Sequence, residues 1–276
     1  MKFTKMHGCG NDYIYMDCTA QSLPDPAAAA VRLSDRHFGV GADGLILICP
    51  SETADFRMEM YNADGSEGKM CGNGIRCVAK FVYDKGLTDK TQLTVETRSG
   101  IKTLDLTVEE GQVSRVRVDM GMPNCTAPAI PVVGMGSCVV GREVTVASMP
   151  WVITCVSMGN PHCVVWVEDV DELPLEEIGP RFEHHPMFPD RVNTEFVQVV
   201  DPSHIRVRVW ERGSGETLAC GTGACASVAA GYLNEVTLSQ VHVQLRGGEL
   251  DVEIADDGRI YMTGPATTVF EGEIDL

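Results

Sequence analysis

The sequence has no apolar run near the roughly 20 residues that a membrane helix requires. Its opening stretch, MKFTKMHGCGND, turns to glycine and polar residues before a secretory h-region could form. These absences predict a cytoplasmic protein with no membrane partner. Positive charge is scarce: 22 Lys and Arg stand against 39 Asp and Glu, and the net charge of −17 repels phosphate backbones and anionic lipid surfaces. Nucleic acid is therefore not an expected partner. Paired CxxC spacings are missing too, and 11 cysteines in 276 residues are too dilute for a disulfide-stapled secreted domain. Most of them read as reduced thiols that fill core space. The 44% hydrophobic content is enough for a real core, in one large domain or two smaller ones.

What the chain does have is an internal repeat. MCGNGIRC at residues 70–77 meets ACGTGACA at 219–226, so Cys71 and Cys220 lie 149 residues apart. GND beginning at Gly10 and GNP beginning at Gly159 keep the same offset. The ungapped alignment pairs Tyr61 with Trp210, Asn62 with Glu211 and Glu67 with Glu216. Two structurally similar halves follow. Segments such as GLILICP, QLTVET, SRVRVDMG, WVITCVSMG, HCVVWVED, HIRVRVWE and HVQLRG alternate β-branched and polar residues between turn residues, which predicts mostly antiparallel strands. Helices are expected at GIRCVAKFVYDKG and GACASVAAGYLNE, the second apolar nearly all round and so buried. The expected fold is α+β, two similar halves each with a curved, mostly antiparallel sheet around a central helix. The halves are placed at 1–118 and 119–261, and residues 262–276 are expected to return to the first half because RIYMTG resembles VRVDMG.

Asn73 and Thr222 occupy matching positions and are good N-cap residue types, which puts Cys71 and Cys220 just ahead of a helix N-terminus. A thiol there is expected to ionise below its ordinary value of about 8.5, and nearby backbone N–H groups can hold a carboxylate. Neighbouring glycines let backbone approach a ligand closely. If the halves face each other across a cleft, two thiols on opposite sides of a carbon that bears a carboxylate make a two-base device for stereoinversion. Two buried structural thiols are the alternative. GVGADG, which begins at Gly39, also spells a dinucleotide fingerprint, but LILIC after it reads as strand, so nucleotide binding is rejected. His184 and His185 lack a third ligand at helical spacing, and no metal site is expected.

KMHGCGNDY, NADGSEGKMCGNGIRC, SMGNPHCVV and ERGSGETLACGTGACA together resemble the diaminopimelate epimerase family over essentially the whole chain. The resemblance implies an epimerase that interconverts LL- and meso-2,6-diaminopimelate without cofactor or metal, acting on a small amino acid as a homodimer. It implies Cys71 and Cys220 as the acid–base pair, with His162 and Glu211 orienting or tuning them. Gly72, Asn73, Gly221 and Thr222 would contact the reacting carboxylate; Asn11, Asn62, Asn160, Asn193, Glu211 and Arg212 would bind substrate. Arg can grip a carboxylate in two-pronged fashion, and Glu and Asn oxygens accept from an ammonium. Asn62 has a competing reading as a turn former, and Asn11 and Asn160 as one shared structural turn. Gly44 stands where some family members place a substrate-touching Gln, which leaves only a backbone contact. Phe270 falls at the family's dimer contact, with an edge-strand core position as the alternative. The rivals are a proline or hydroxyproline racemase, typically Cys-Gly-His-Gly where this chain has Asn73, and a non-catalytic thiol redox or binding protein.

Overall fold

Period-two burial sets the strands. In Gln112–Gly121, Val116, Val118 and Met120 are buried while Arg117 and Asp119 between them are only partly so. A computed structural model describes residues 1–275 and divides the chain into two units, Met1–Asp119 with 263–275, and Met120–Met262.

The first unit runs β1 (Lys2–Gly8), β2 (Asn11–Asp17), α1 (Pro26–Ser34), β3 (Gly44–Cys49), β4 (Phe56–Asn62), β5 (Glu67–Gly68), α2 (Gly72–Asp84), β6 (Gln92–Thr97), β7 (Gly100–Glu109) and β8 (Gln112–Gly121). The second follows with β9 (Arg142–Val146), β10 (Met149–Ser157), β11 (Pro161–Trp166), α3 (Leu175–Glu183), β12 (Asn193–Asp201), β13 (His204–Glu211), β14 (Gly215–Thr217), α4 (Gly221–Leu233), β15 (Gln240–Leu245), β16 (Gly248–Ile254) and β17 (Ile260–Pro265). The last strand, β18 (Thr267–Glu273), pairs antiparallel with β1.

One pairing pattern serves both units. In the first, β1–β2 is antiparallel, β2–β3 parallel, β3–β4 antiparallel, β4–β6 parallel and β6–β7 antiparallel. In the second, β10–β11, β11–β12, β12–β13, β13–β15 and β15–β16 repeat that sequence of directions. The fold is α+β and mostly antiparallel. Helix α2 packs on β1, β2 and β7, and α4 on β10 to β13 and β16. Each sheet therefore curves until strands far apart in its order touch one helix. Ala224 to Gly231 of α4 are all buried, as its uniformly apolar sequence requires.

Two helices were not expected from the sequence. Helix α1 is capped by the Asp25 side chain on the Ala28 amide, with Pro26 in its first turn. Helix α3 begins at Leu175 and α1 at Pro26, the same spacing that separates Cys220 from Cys71, so the repeat extends to a second helix. No helix among the described residues is long and apolar enough to cross a membrane.

The turns before the two asparagines differ. Cys9 and Gly10, both at positive φ, make a two-residue turn that sets Gly8 opposite Asn11. In the second unit Ser157 faces Pro161 across a three-residue loop with Gly159 at φ 96°. Asn11 thus opens β2 while Asn160 ends a loop, which corrects the expectation of one shared turn.

Candidate active site

Cys71 and Cys220 are themselves the N-caps of α2 and α4. Their extended backbones let the Cys71 sulfur accept the Gly74 amide at 3.2 Å and the Cys220 sulfur accept the Gly223 amide at 3.3 Å. This corrects the assignment of Asn73 and Thr222 as caps; both are the second residue of their helices. The amides of the first two residues, Gly72 with Asn73 and Gly221 with Thr222, are not used by the helix's own ladder. That makes each helix start a natural seat for a carboxylate.

In the first unit, the Cys71 thiol also donates to Asn11 Oδ1 at 3.2 Å. Asn11 is turned that way because its Nδ2 donates to Asp43 Oδ2 at 2.7 Å. Arg36 in turn donates to Asp43 at 3.0 Å and to Asp12 at 2.8 Å. Asn73 is buried, its Oδ1 held at 2.9 Å by Arg76, whose side chain is fully buried. Asn62 braces its own turn, donating to Ser66 Oγ at 2.9 Å while its carbonyl accepts the Gly65 amide. Its turn-forming role is therefore real.

In the second unit, the Thr222 hydroxyl lies 3.4 Å from the Cys220 sulfur and accepts from Asn160 Nδ2 at 3.2 Å. Asn160 Oδ1 lies 3.0 Å from His162 Nε2, and His162 Nδ1 lies 2.7 Å from Glu195 Oε1. Asn193 spends its Nδ2 on the Pro161 carbonyl and takes the Arg212 amide on its Oδ1, both at 2.9 Å. Glu211 accepts from the Thr217 hydroxyl at 2.5 Å. Arg212 is exposed and donates to the Asp190 carbonyl at 3.0 Å. Buried Glu183 steadies that turn, accepting the Gly213 amide at 2.9 Å and the Trp210 indole N–H at 2.7 Å.

The lowered thiol expected from the helix dipole is not found at Cys220. Burial and the nearby Glu211 and Glu195 carboxylates push that thiol well up, against the downward pull of the Thr222 hydroxyl and the Gly223 amide. Desolvation wins because the sulfur sits in the core, with 6% of its surface exposed.

Several expected binding positions form repeat pairs: Asn62 with Glu211 and Gly44 with Asn193 on equivalent strand ends, and Asn11, which opens β2, with Asn160 in the loop before β11. Gly44 faces Tyr13 and Asn62 in the ladder just as Asn193 faces His162, next to Glu211. A Cβ at Gly44 would sit 2.2 Å from the Tyr61 carbonyl oxygen and 2.8 Å from the Tyr13 ring, so in this chain the local backbone and Tyr13 leave room for glycine alone. Gly44→Gln is expected to destabilise the protein by about 3 kcal/mol or more, read as a lowered urea midpoint with unchanged slope. A gain in stability or in substrate affinity would contradict it.

His184 caps the end of α3 and His185 lies in the turns that follow. No group of three or more ligating side chains with metal-site geometry occurs among the described residues. The strand that follows GVGADG is β3, as the rejection of nucleotide binding supposed. Phe270 lies on β18 opposite Lys5, is 46% exposed, and stacks edge-on against Phe3 at 5.9 Å. Asp43, Arg76 and Glu195 were not singled out from the sequence. Glu195 had one signal, a lone acid in the apolar strand NTEFVQVV.

With the two capping cysteines in place, comparison with known proteins decides the family. The family model described as diaminopimelate epimerase matches residues 3–126 and 154–269. The chain belongs to the diaminopimelate epimerase family. It is 58% identical to the diaminopimelate epimerase of Agathobacter rectalis and 56% identical to that of Methanococcus maripaludis, in each case over 100% of both chains. Among solved structures, a phenazine biosynthesis protein of the PhzF family from Bacillus anthracis matches with a TM-score of 0.72 at 19% identity, covering 100% of this chain and 99% of that one. A hydroxyproline epimerase from Agrobacterium vitis, solved with trans-4-hydroxy-L-proline, matches at 0.70 and 15%, covering 99% and 90%. These two likenesses concern the fold. Membership of the diaminopimelate epimerase family rests on the family model and on the two full-length relatives.

Proposed function

We propose that the protein interconverts LL- and meso-2,6-diaminopimelate by a cofactor-independent two-base mechanism, serving lysine and peptidoglycan precursor synthesis. The observation that carries the reading is the duplicated helix start: in each unit a cysteine caps the helix and receives an amide on its sulfur. One cysteine, as thiolate, takes the α-proton; the other, as thiol, delivers a proton to the opposite face. The electron pair left on carbon spreads into the carboxylate, which the amides of Gly72, Asn73, Gly221 and Thr222 receive. After each turnover the protonation states of the pair are exchanged.

The distal amino-acid head falls to Arg212 for its carboxylate and to Asn62, Asn193 and Glu211 for its ammonium, with Asn11 and Asn160 at the reacting end and Gly44 contributing backbone alone. His162 and Glu211 set the protonation of Cys220. A cytoplasmic homodimer that uses the exposed face around Phe270 completes the proposal.

The test is isotope exchange. Purified protein in D₂O with LL-diaminopimelate and no added cofactor is expected to give meso product carrying deuterium at one α-carbon. Exchange into proline in place of diaminopimelate would move the protein to the racemase branch, and absence of exchange with either would leave a binding or redox role.

Glu211 offers a check on the electrostatics. Its charge is one of the causes holding the Cys220 thiol up, so Glu211→Gln is expected to lower that ionisation. Carboxymethylation of Cys220 at a pH below its midpoint then speeds up, because a larger thiolate fraction is present. An unchanged or slower rate would show that the Glu211 charge does not reach the sulfur.

A further inference from the structure

We propose that Glu195 is a positioning residue that fixes the direction of a hydrogen-bond chain ending on Cys220, so that the chain delivers a hydroxyl proton to the sulfur and favours its thiolate. The inference rests on the reading of Cys220 as an acid–base residue.

The placement is specific. Glu195 and His162 are both fully buried, and the carboxyl lies under the first turn of α4. A Cβ at Gly223 would come within 2.6 Å of Glu195 Oε1, so the glycine makes room for the carboxyl. Glu195 Oε2 has no hydrogen-bond partner among the described residues. A buried carboxyl with one oxygen on an imidazole and the other bare is costly, and packing gives no reason to keep it.

Donor and acceptor roles follow from the chain itself. Asn160 Oδ1 can only accept, so His162 Nε2 must carry a hydrogen. The Asn160 amide donates to Thr222 Oγ1, which leaves the hydroxyl proton to be aimed at the Cys220 sulfur 3.4 Å away. Glu195 holds this polarity: with Nε2–H given to Asn160, the 2.7 Å contact at Nδ1 needs a second proton between ring and carboxyl, and a pair that holds it keeps Nε2 protonated. Without Glu195 the proton can move to Nδ1, and a bare Nε2 would draw the Asn160 amide round. The Asn160 oxygen would then take the Thr222 proton away from the sulfur.

The first unit shows the same site without the device. At the repeat offset, His162 corresponds to Tyr13 and Glu195 to Ile46. A Cβ at Gly74 would meet Ile46 Cδ1 at 2.7 Å, the place that Glu195 takes against Gly223. There the cysteine is the donor, Cys71 to Asn11 Oδ1. The two thiols thus sit in hydrogen-bond settings of opposite sense.

The titratable groups facing Cys220 are Glu211 on β13, Glu195 on β12 and His162 on β11. Cys163 on β11, beside Glu195, has its thiol pushed well up by burial and stays neutral. Glu195 acting as a lone charge would hold the Cys220 thiol up, the opposite of the chain effect. Glu195 Oε1 is bonded to the His162 ring and is not a lone charge, and the chain effect outweighs its hold on the sulfur. The two mechanisms predict opposite signs.

The experiment reads Cys220 carbamidomethylation by iodoacetamide, by peptide mapping across pH, with Cys71 of the same molecule as reference. Glu195→Ile is expected to slow Cys220 about 10- to 100-fold at any pH below its midpoint, the effect of losing one hydrogen bond to a charged sulfur. Thr222→Val should slow it equally, and the double variant no further. Glu195→Gln, whose amide can donate to Nδ1 and keep Nε2–H, should match or exceed the wild-type rate. If Glu195→Ile does not fold, Glu195→Ile with His162→Tyr copies the Tyr13–Ile46 packing of the first unit and carries the same expectation. A Cys220 rate at or above wild type in the folded isoleucine variant, or a Gln variant as slow as the Ile variant, overturns the proposal. These rates need no turnover, so they stand apart from the function: a Cys220→Ala variant that epimerises normally would sink the two-base reading by itself.

Discussion

Cys220→Ala is expected to lower the epimerisation rate by about 10²- to 10⁴-fold, the usual contribution of one positioned acid or base, without preventing folding. The sulfur caps α4 by accepting a single amide at 3.3 Å, so its structural share is that of one weak cap. The consequence for isotope exchange is more specific than the loss of rate. With Cys71 left alone, a proton can be taken and returned on one face only. The variant should therefore wash deuterium slowly into one configuration of the α-carbon and invert none. Cys71→Ala should do the same for the opposite configuration. Two assays on each variant, stereochemical conversion and deuterium content, separate this from a general loss of structure, which would abolish both at both configurations. Wild-type conversion by either variant would remove the pair from the mechanism.

The repeat made much of the fold legible in the sequence. One fixed offset placed both cysteines, paired Asn62 with Glu211, and implied two sheets of the same pattern, because duplicated strands bury the same faces and pair in the same order. The short helices escaped for local reasons. Helix α1 is an alanine run whose start is set by Asp25 and Pro26, and α3 contains Pro180 within its nine residues, an ordinary signal for breaking a helix. Tertiary contact with Trp210 holds α3, since a Cβ at Gly179 would lie 2.3 Å from the indole ring.

At the site, residue type was readable but roles were less so. Asn73 and Thr222 look like caps in sequence, yet Asn73 is bound to Arg76 and Thr222 faces Cys220, so the thiols cap instead. The helix dipole predicted an acidic thiol at Cys220, whereas burial and the carboxylates of Glu211 and Glu195 act in the other direction. Those carboxylates reach the sulfur only through β13 and β12, a contact that sequence spacing does not disclose. Asp43 was hidden for the same reason: its work is to orient Asn11, which sits on a different strand.

Arg76→Met is the second large effect expected. The Arg76 side chain is fully buried in α2 and donates to the Gly72 carbonyl at 3.1 Å, the Pro265 carbonyl at 3.1 Å and Asn73 Oδ1 at 2.9 Å. Methionine fills similar volume, so the cost comes from acceptors left buried without that donor, at about 1 to 3 kcal/mol each. A total of about 3 kcal/mol or more is expected, seen as a fall in the denaturant midpoint. Activity should fall further than stability explains. Asn73 is the second residue of α2, and its amide belongs to the proposed carboxylate seat; releasing its side chain loosens the turn that Cys71 caps. Assayed well below the melting temperature, Arg76→Met should therefore raise KM, because carboxylate binding weakens, and Arg76→Lys should recover only part of it, since an ammonium cannot reproduce the planar fork that reaches these oxygens together. A lysine variant equal to wild type in both midpoint and KM would show that Arg76 serves as a charge and not as a frame.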